Sequence, residues 1–247
     1  VLHPRMGLAK RIWYLGRTYF HYIRTAVQIA AELGMTIVLY DEGMYPSGSA
    51  CGQVVEGHPE LAREGIALVE TILPDDEILA QTESGTLVAR KSGGTMRGLH
   101  WGEDDGEPYA PKTADILNPE AVNRFIALTH EAYYRELKEY FGSTIIGFFT
   151  DEPSILGRNV GGMFPWTHSF AKLFAAEGGN LAGLAALFQG KENPDTELYH
   201  KLILARESEV YYGSLARWCK AHNIGLMGHP HQSDDIEVEK YFAVPGQ

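Results

Sequence analysis

The chain has 247 residues, 45% hydrophobic and 21% charged, the composition of an ordinary globular domain with a sizeable core. Its formal net charge of -11 excludes a polyanionic partner as the expectation, because nucleic acid and anionic membrane surfaces are held by clusters of Lys and Arg. No run approaches the roughly 18 apolar residues of a membrane span, so a neutral substrate is expected, with no nucleic acid and no membrane as partner.

In chain order, residues 1–4 read as a first short strand. Residues 18–33 carry Phe20, Ile23, Ala26, Val27, Ile29, Ala30 and Leu33 at helical spacing, and Gly34 stands where a helix ends. The run 36–41 is short, apolar and rich in β-branched residues, the pattern of a strand buried on both faces. From 64 to 112 the chain turns strand-like and glycine-rich, as in Lys91-Ser92-Gly93-Gly94, which predicts a small antiparallel insertion. Residues 113–117 read as a third strand, and 119–141 as a long helix closed by Gly142. A buried strand follows at 144–150, then short helical pieces over 157–195, a helix over 197–222 and a strand at 223–228. Helices alternating with buried strands predict an α/β fold: a (β/α)8 TIM-barrel-like domain, five of its eight units visible, as one partial barrel over 1–247 with the β-rich insertion 64–112. A doubly wound open sheet is the alternative, but no glycine-rich phosphate fingerprint follows any strand.

Ionisable residues follow the apolar runs. His3 ends the first, Asp41-Glu42 the second, Asp151-Glu152-Pro153 the fourth and His229-Pro230-His231 the fifth, with Asp234-Asp235 read as a solvated loop. In a parallel barrel the C-terminal strand ends form the mouth of the active site, so these groups are expected to converge. Any single acid after a strand is as readily a helix cap, and His229 and His231 are as readily core histidines; the joint occurrence carries the reading. Glycosidic hydrolysis needs two carboxyl groups, one protonated to donate to the leaving oxygen and one ionised. Glu152, Asp151 and Glu42 are the catalytic candidates, with Glu152 as donor. His3, Tyr40, Asp41, Tyr45, Ser47, Trp101, Trp166, His229 and His231 are the candidates for holding a sugar, and no metal ligands are assigned.

The segment Tyr40-Asp41-Glu42-Gly43-Met44-Tyr45-Pro46-Ser47-Gly48-Ser49-Ala50-Cys51-Gly52, with Phe148-Phe149-Thr150-Asp151-Glu152-Pro153, Phe164-Pro165-Trp166-Thr167 and Trp218-Cys219-Lys220-Ala221-His222, resembles bacterial glycoside hydrolases related to the family 106 α-L-rhamnosidases. Tyr45 and Cys51 replace that family's usual Trp and Gly. The resemblance implies a (β/α)8 catalytic domain within a larger multidomain protein, with calcium as a helper ion. Asp151-Glu152-Pro153 also looks like the Asn-Glu-Pro acid/base site of clan A glycosidases, with Asp in place of Asn, whereas the seventh strand that carries the nucleophile there has no counterpart in this chain.

The leading expectation is therefore a glycoside hydrolase acting on a carbohydrate. A non-catalytic sugar-binding or truncated inactive barrel is the second, and a metal-dependent hydrolase of amidohydrolase type the third, disfavoured by the absence of His-x-His after the first strand. Cys51 and Cys219 read as free thiols that leave the compartment open. The ends, Val1 and Gln247, read as cuts in a longer polypeptide, so missing domains or a second copy are expected partners.

Overall fold

The computed structural model describes residues 1–4, 6–232 and 235–245. Helix α1 (Arg17–Glu32) buries Tyr19, Phe20, Ile23, Val27 and Ala30 along one stripe. Gly34, with φ +66°, turns the chain out of the helix. Strand β1 (Ile37–Tyr40) follows, then β2 (Glu64–Val69), β3 (Glu77–Thr82) and β4 (Gly85–Lys91). Helix α2 (Pro119–Leu128) starts on the Asn118 side chain, which accepts from Glu120 N, and α3 (His130–Leu137) leads to β5 (Ile145–Asp151). Next come β6 (Phe164–Trp166), α4 (Phe170–Ala176) and α5 (Pro194–Glu207), the last opened by an Asn193–Thr196 capping box. A π-helical turn, Ser208–Gly213, joins α5 to α6 (Ser214–Ala221), and β7 (Gly225–His229) and β8 (Val244–Pro245) complete the chain.

The fold is mixed α/β, with one parallel and one antiparallel sheet. The parallel sheet has the order β1-β5-β7-β8, so neighbours in the sheet follow chain order, as in successive βα units. The antiparallel sheet, β3-β4-β2-β6, is built from the expected insertion plus one strand from beyond β5: Glu64 pairs with Trp166 and Ile66 with Phe164. That cross-pairing fastens the insertion to the loop that follows β5.

The parallel sheet has four strands and is open among the described residues, which show no closed barrel. Several expectations about the elements need correction. Residues 1–4 contribute a single parallel bridge, Leu2 to Leu39, rather than a strand. Residues 113–117 are not a parallel strand: Ala114 bridges antiparallel to Ala62, Arg63 N donates to Thr113 O and Asp115 N to Leu61 O. With that backbone engaged elsewhere, β1 pairs directly with β5. The helix expected over 119–141 breaks at Thr129, and that over 197–222 is interrupted by the π-turn.

Two apolar clusters hold the layers together. One lies between the parallel sheet and its helices and includes Phe20, Val27, Leu39, Tyr133, Phe148 and Leu226. The other, under the antiparallel sheet, includes Ile66, Leu87, Trp166, Phe170 and Tyr199. Phe148, on the central strand β5, is fully buried and meets the rings of His130, Tyr133, Phe141 and Trp218. Cutting Phe148 to Ala leaves a cavity that these rigid rings do not fill, so F148A is expected to lose about 3–5 kcal/mol in urea unfolding; a loss below about 1 kcal/mol would contradict this packing.

Candidate active site

Because β1, β5 and β7 are parallel, their carboxyl ends lie on one edge. Tyr40 pairs with Phe149 and Asp151 with His229, which sets Asp41-Glu42, Asp151-Glu152 and His229 side by side. Three of the four predicted strand ends thus converge. His3 lies at the rim, its ring 4.0 Å edge-on from that of Tyr40.

The acids divide into a buried pair and a more accessible pair. Glu42 is fully buried. Its Oε2 accepts from Ser49 N and Ala50 N, both at 2.8 Å, and its Oε1 accepts from Gly43 N at 2.7 Å and from Cys51 N. Burial raises its pKa to about 7, against the pull of those four N–H donors. Glu42 therefore organises its own loop through main-chain N–H groups. Asp41 is buried as well; its Oδ1 accepts from Ser47 Oγ at 2.6 Å, and burial, reinforced by the Glu42 charge, raises its pKa well above the usual carboxylate range.

Asp151 is partly open. Its Oδ2 lies 2.8 Å from Tyr40 Oη and its Oδ1 lies 3.4 Å from His229 Nδ1. Tyr40 Oη also reaches Met44 O at 2.6 Å, and burial, with the Asp151 charge next, drives its pKa far up, so the phenol stays protonated as a donor. Ser47 ties the two strand ends together: Asp151 N donates to Ser47 Oγ at 2.8 Å and Ser47 N to Asp151 O at 3.0 Å.

Glu152 leaves the strand with φ +39°, a left-handed backbone that a side chain with a Cβ adopts at a cost of about 1–3 kcal/mol. Its N–H donates to His229 O at 3.2 Å. Its Oε2 accepts a very short hydrogen bond from Tyr45 Oη. Burial, then the bond to Glu152 and its charge, push the Tyr45 pKa up to about 12. One donor atom from each of Asp151, Glu152 and His229 can be chosen so that all three lie within 4.8 Å of one another.

The remaining predicted residues fall elsewhere. Trp166 is buried in β6 against Phe170, within the core under the antiparallel sheet. Trp101 is 73% exposed and packs over Gly7 on the loop that carries residues 98–110. His231 is partly buried; burial and the Arg63 charge lower its pKa, while Asp235 and Glu152 oppose them, which places it within range of the Glu152 charge. Asp234 lies outside the described residues.

Sequence reasoning missed Arg158 and Asp105, which meet beside Tyr45, and the buried pair of neighbouring charges Arg63 and Glu207. An arginine directly after Gly157 and an acidic turn at Asp104-Asp105-Gly106 are the only traces these leave in the sequence.

No family model and no curated protein matches the chain. Among solved structures it is similar to a rhamnosidase from Novosphingobium sp. PP1Y, with a TM-score of 0.47 and 14% identity over 64% of this chain. The chain spans 15% of the length of that rhamnosidase.

Burial raises the pKa of Asp115 to about 6, of Glu42 to about 7 and of Glu207 to about 8. In the unfolded chain such acids ionise near pH 4, so the native state holds their protons longer and stability falls as pH rises from the unfolded to the folded value of each. The thermal unfolding midpoint is expected to decline from about pH 5 to about pH 8. Glu207→Gln, which removes the highest of these three values, should flatten the decline between about pH 7 and 8; the same slope in wild type and variant would refute the assignment.

Proposed function

We propose that the chain carries part of the catalytic centre of a glycoside hydrolase, α-L-rhamnosidase-like, on the successive βα units of a barrel that its own described residues leave open. The observation that carries this reading is the strained Glu152 at the end of β5, bonded to a phenol and set beside Asp151 and His229. Glu152 donates the proton to the glycosidic oxygen as the C–O bond breaks, and its carboxylate then takes a proton from the water that adds to the anomeric carbon. Asp151, oriented by Tyr40 and Ser47, supplies the second carboxylate and stabilises positive charge at the anomeric carbon. His229 and the rim residues His3 and Tyr45 hold sugar hydroxyls. The edge beyond β8, and the edge of β1 that Leu2 covers with a single bridge, are where further strands of a longer polypeptide, or of a second copy, would pair.

Calcium, the helper ion that the resemblance implies, fits this donor set poorly, since it takes six to eight oxygen ligands whereas the cluster offers two carboxylates and an imidazole. The imidazole favours a second reading, a hydrolase dependent on a first-row divalent metal held by Asp151, Glu152 and His229.

Hydrolysis of a panel of para-nitrophenyl glycosides, α-L-rhamnoside included, separates these readings. Glu152→Gln is expected to lower kcat by about 10²- to 10⁴-fold, with chelator leaving the wild type unaffected. Loss of activity on chelation, restored by zinc or manganese, would select the metal reading; sugar binding without turnover would select a binding-only barrel.

A further inference from the structure

Tyr45 is gripped by a segment that contributes nothing directly to the strand-end cluster. Its carbonyl accepts from Arg97 N at 2.8 Å. The Arg158 guanidinium lies over its ring, 5.2 Å from the centroid. Arg158 Nε makes a very short ion pair with Asp105 Oδ2, and Arg97 Nε approaches the same oxygen at 3.4 Å and Asp104 Oδ1 at 3.0 Å. The contacts close on themselves: Tyr45 to Arg97, Arg97 to Asp105, Asp105 to Arg158, Arg158 back to the Tyr45 ring.

The frame of this clamp is backbone. Thr95 and Arg158 exchange both of their main-chain hydrogen bonds, at 3.1 and 2.9 Å. Next to them Gly94 and Gly157 meet so closely that a Cβ on Gly157 would lie 2.8 Å from Gly94 Cα. The Asp105 side chain is only 12% exposed, so its ion pair with Arg158 is shielded from water on the carboxylate side. A phenol turns freely about two bonds unless its ring is held; here a cation covers one face and the backbone is bridged.

We propose that Arg158, anchored by Asp105, is a positioning residue that fixes the Tyr45 ring and so keeps the Glu152 carboxyl aimed at the reacting oxygen. Neither Arg158 nor Asp105 has a hydrogen bond or ion pair with Glu152 among the described residues; both act through Tyr45. The proposal rests on the reading of Glu152 as the acid.

Two readouts test it on the whole chain. The first is the chemical shift of the Tyr45 phenol carbon in tyrosine-labelled protein, assigned by its absence in Tyr45→Phe; the second is kcat and KM on para-nitrophenyl α-L-rhamnoside. Arg158→Met is expected to move the phenol-carbon shift toward that of an unbonded tyrosine and to lower kcat by about ten- to a hundredfold with KM little changed. Arg158→Lys, which keeps a cation over the ring, should recover most of both. Asp105→Asn tests the same anchor should Arg158→Met fail to fold. A wild-type phenol shift with wild-type kcat in Arg158→Met would overturn the proposal, as would a lysine variant no better than methionine. If Glu152→Gln keeps full activity, the reading of Glu152 as the acid falls, and the phenol-carbon shift alone decides whether Arg158 holds Tyr45.

Discussion

A carboxylate sealed away from water is costly unless donors surround it, and Glu42 is surrounded by the backbone of its own loop. Four N–H groups from Gly43, Ser49, Ala50 and Cys51 converge on two oxygens, which bends residues 43–51 into a ring around the charge. Everything that loop presents to the strand ends depends on this closure: Tyr45 toward Glu152, and Ser47 toward both Asp41 and Asp151. The neighbouring acid Asp41 is buried with it, so the acids at the end of β1 shape the backbone while those at the end of β5 are partly exposed.

The division of labour between the two sheets follows from this. The parallel sheet, with Phe148 and Leu226 packed beneath, provides a rigid edge from which Asp151 and His229 project in register. Among the described residues the antiparallel sheet contributes nothing to the cluster of Asp151, Glu152 and His229. It holds the loop after β5 through β6, and through that loop Arg158 reaches the Tyr45 ring. A strained backbone at Glu152 persists because both neighbours over-determine it: the strand before it is paired on both sides, and its own N–H is taken by His229 O.

Much of the parallel sheet was legible in the sequence. The runs at 36–41, 144–150 and 223–228 are apolar on both faces, too short for a typical helix and bounded by glycine or ionisable residues, which favours buried strands. The run at 113–117 misled because Ile116 and Leu117 are indeed buried, yet burial within a loop leaves the same apolar signature as burial in a strand. Trp166 lies in the core under the antiparallel sheet, and an aromatic residue near a strand end serves a core as well as a pocket. The role of Glu42 was hidden because its partners are main-chain N–H groups, which have no residue type to read. Arg158 and Asp105 were hidden because 53 residues separate them, and charge pairs at such a distance leave no periodicity.

The meeting of Gly94 with Gly157 has a consequence for descent. Two bare backbones in contact tolerate no side chain on either, so the inserted sheet and the loop after β5 form one inheritable unit. A relative that lost the insertion would still need glycine at 157 for its left-handed backbone, φ +83°, but would be released from the need for a bare Gly94, whereas a relative that kept the insertion would be bound to keep both glycines together.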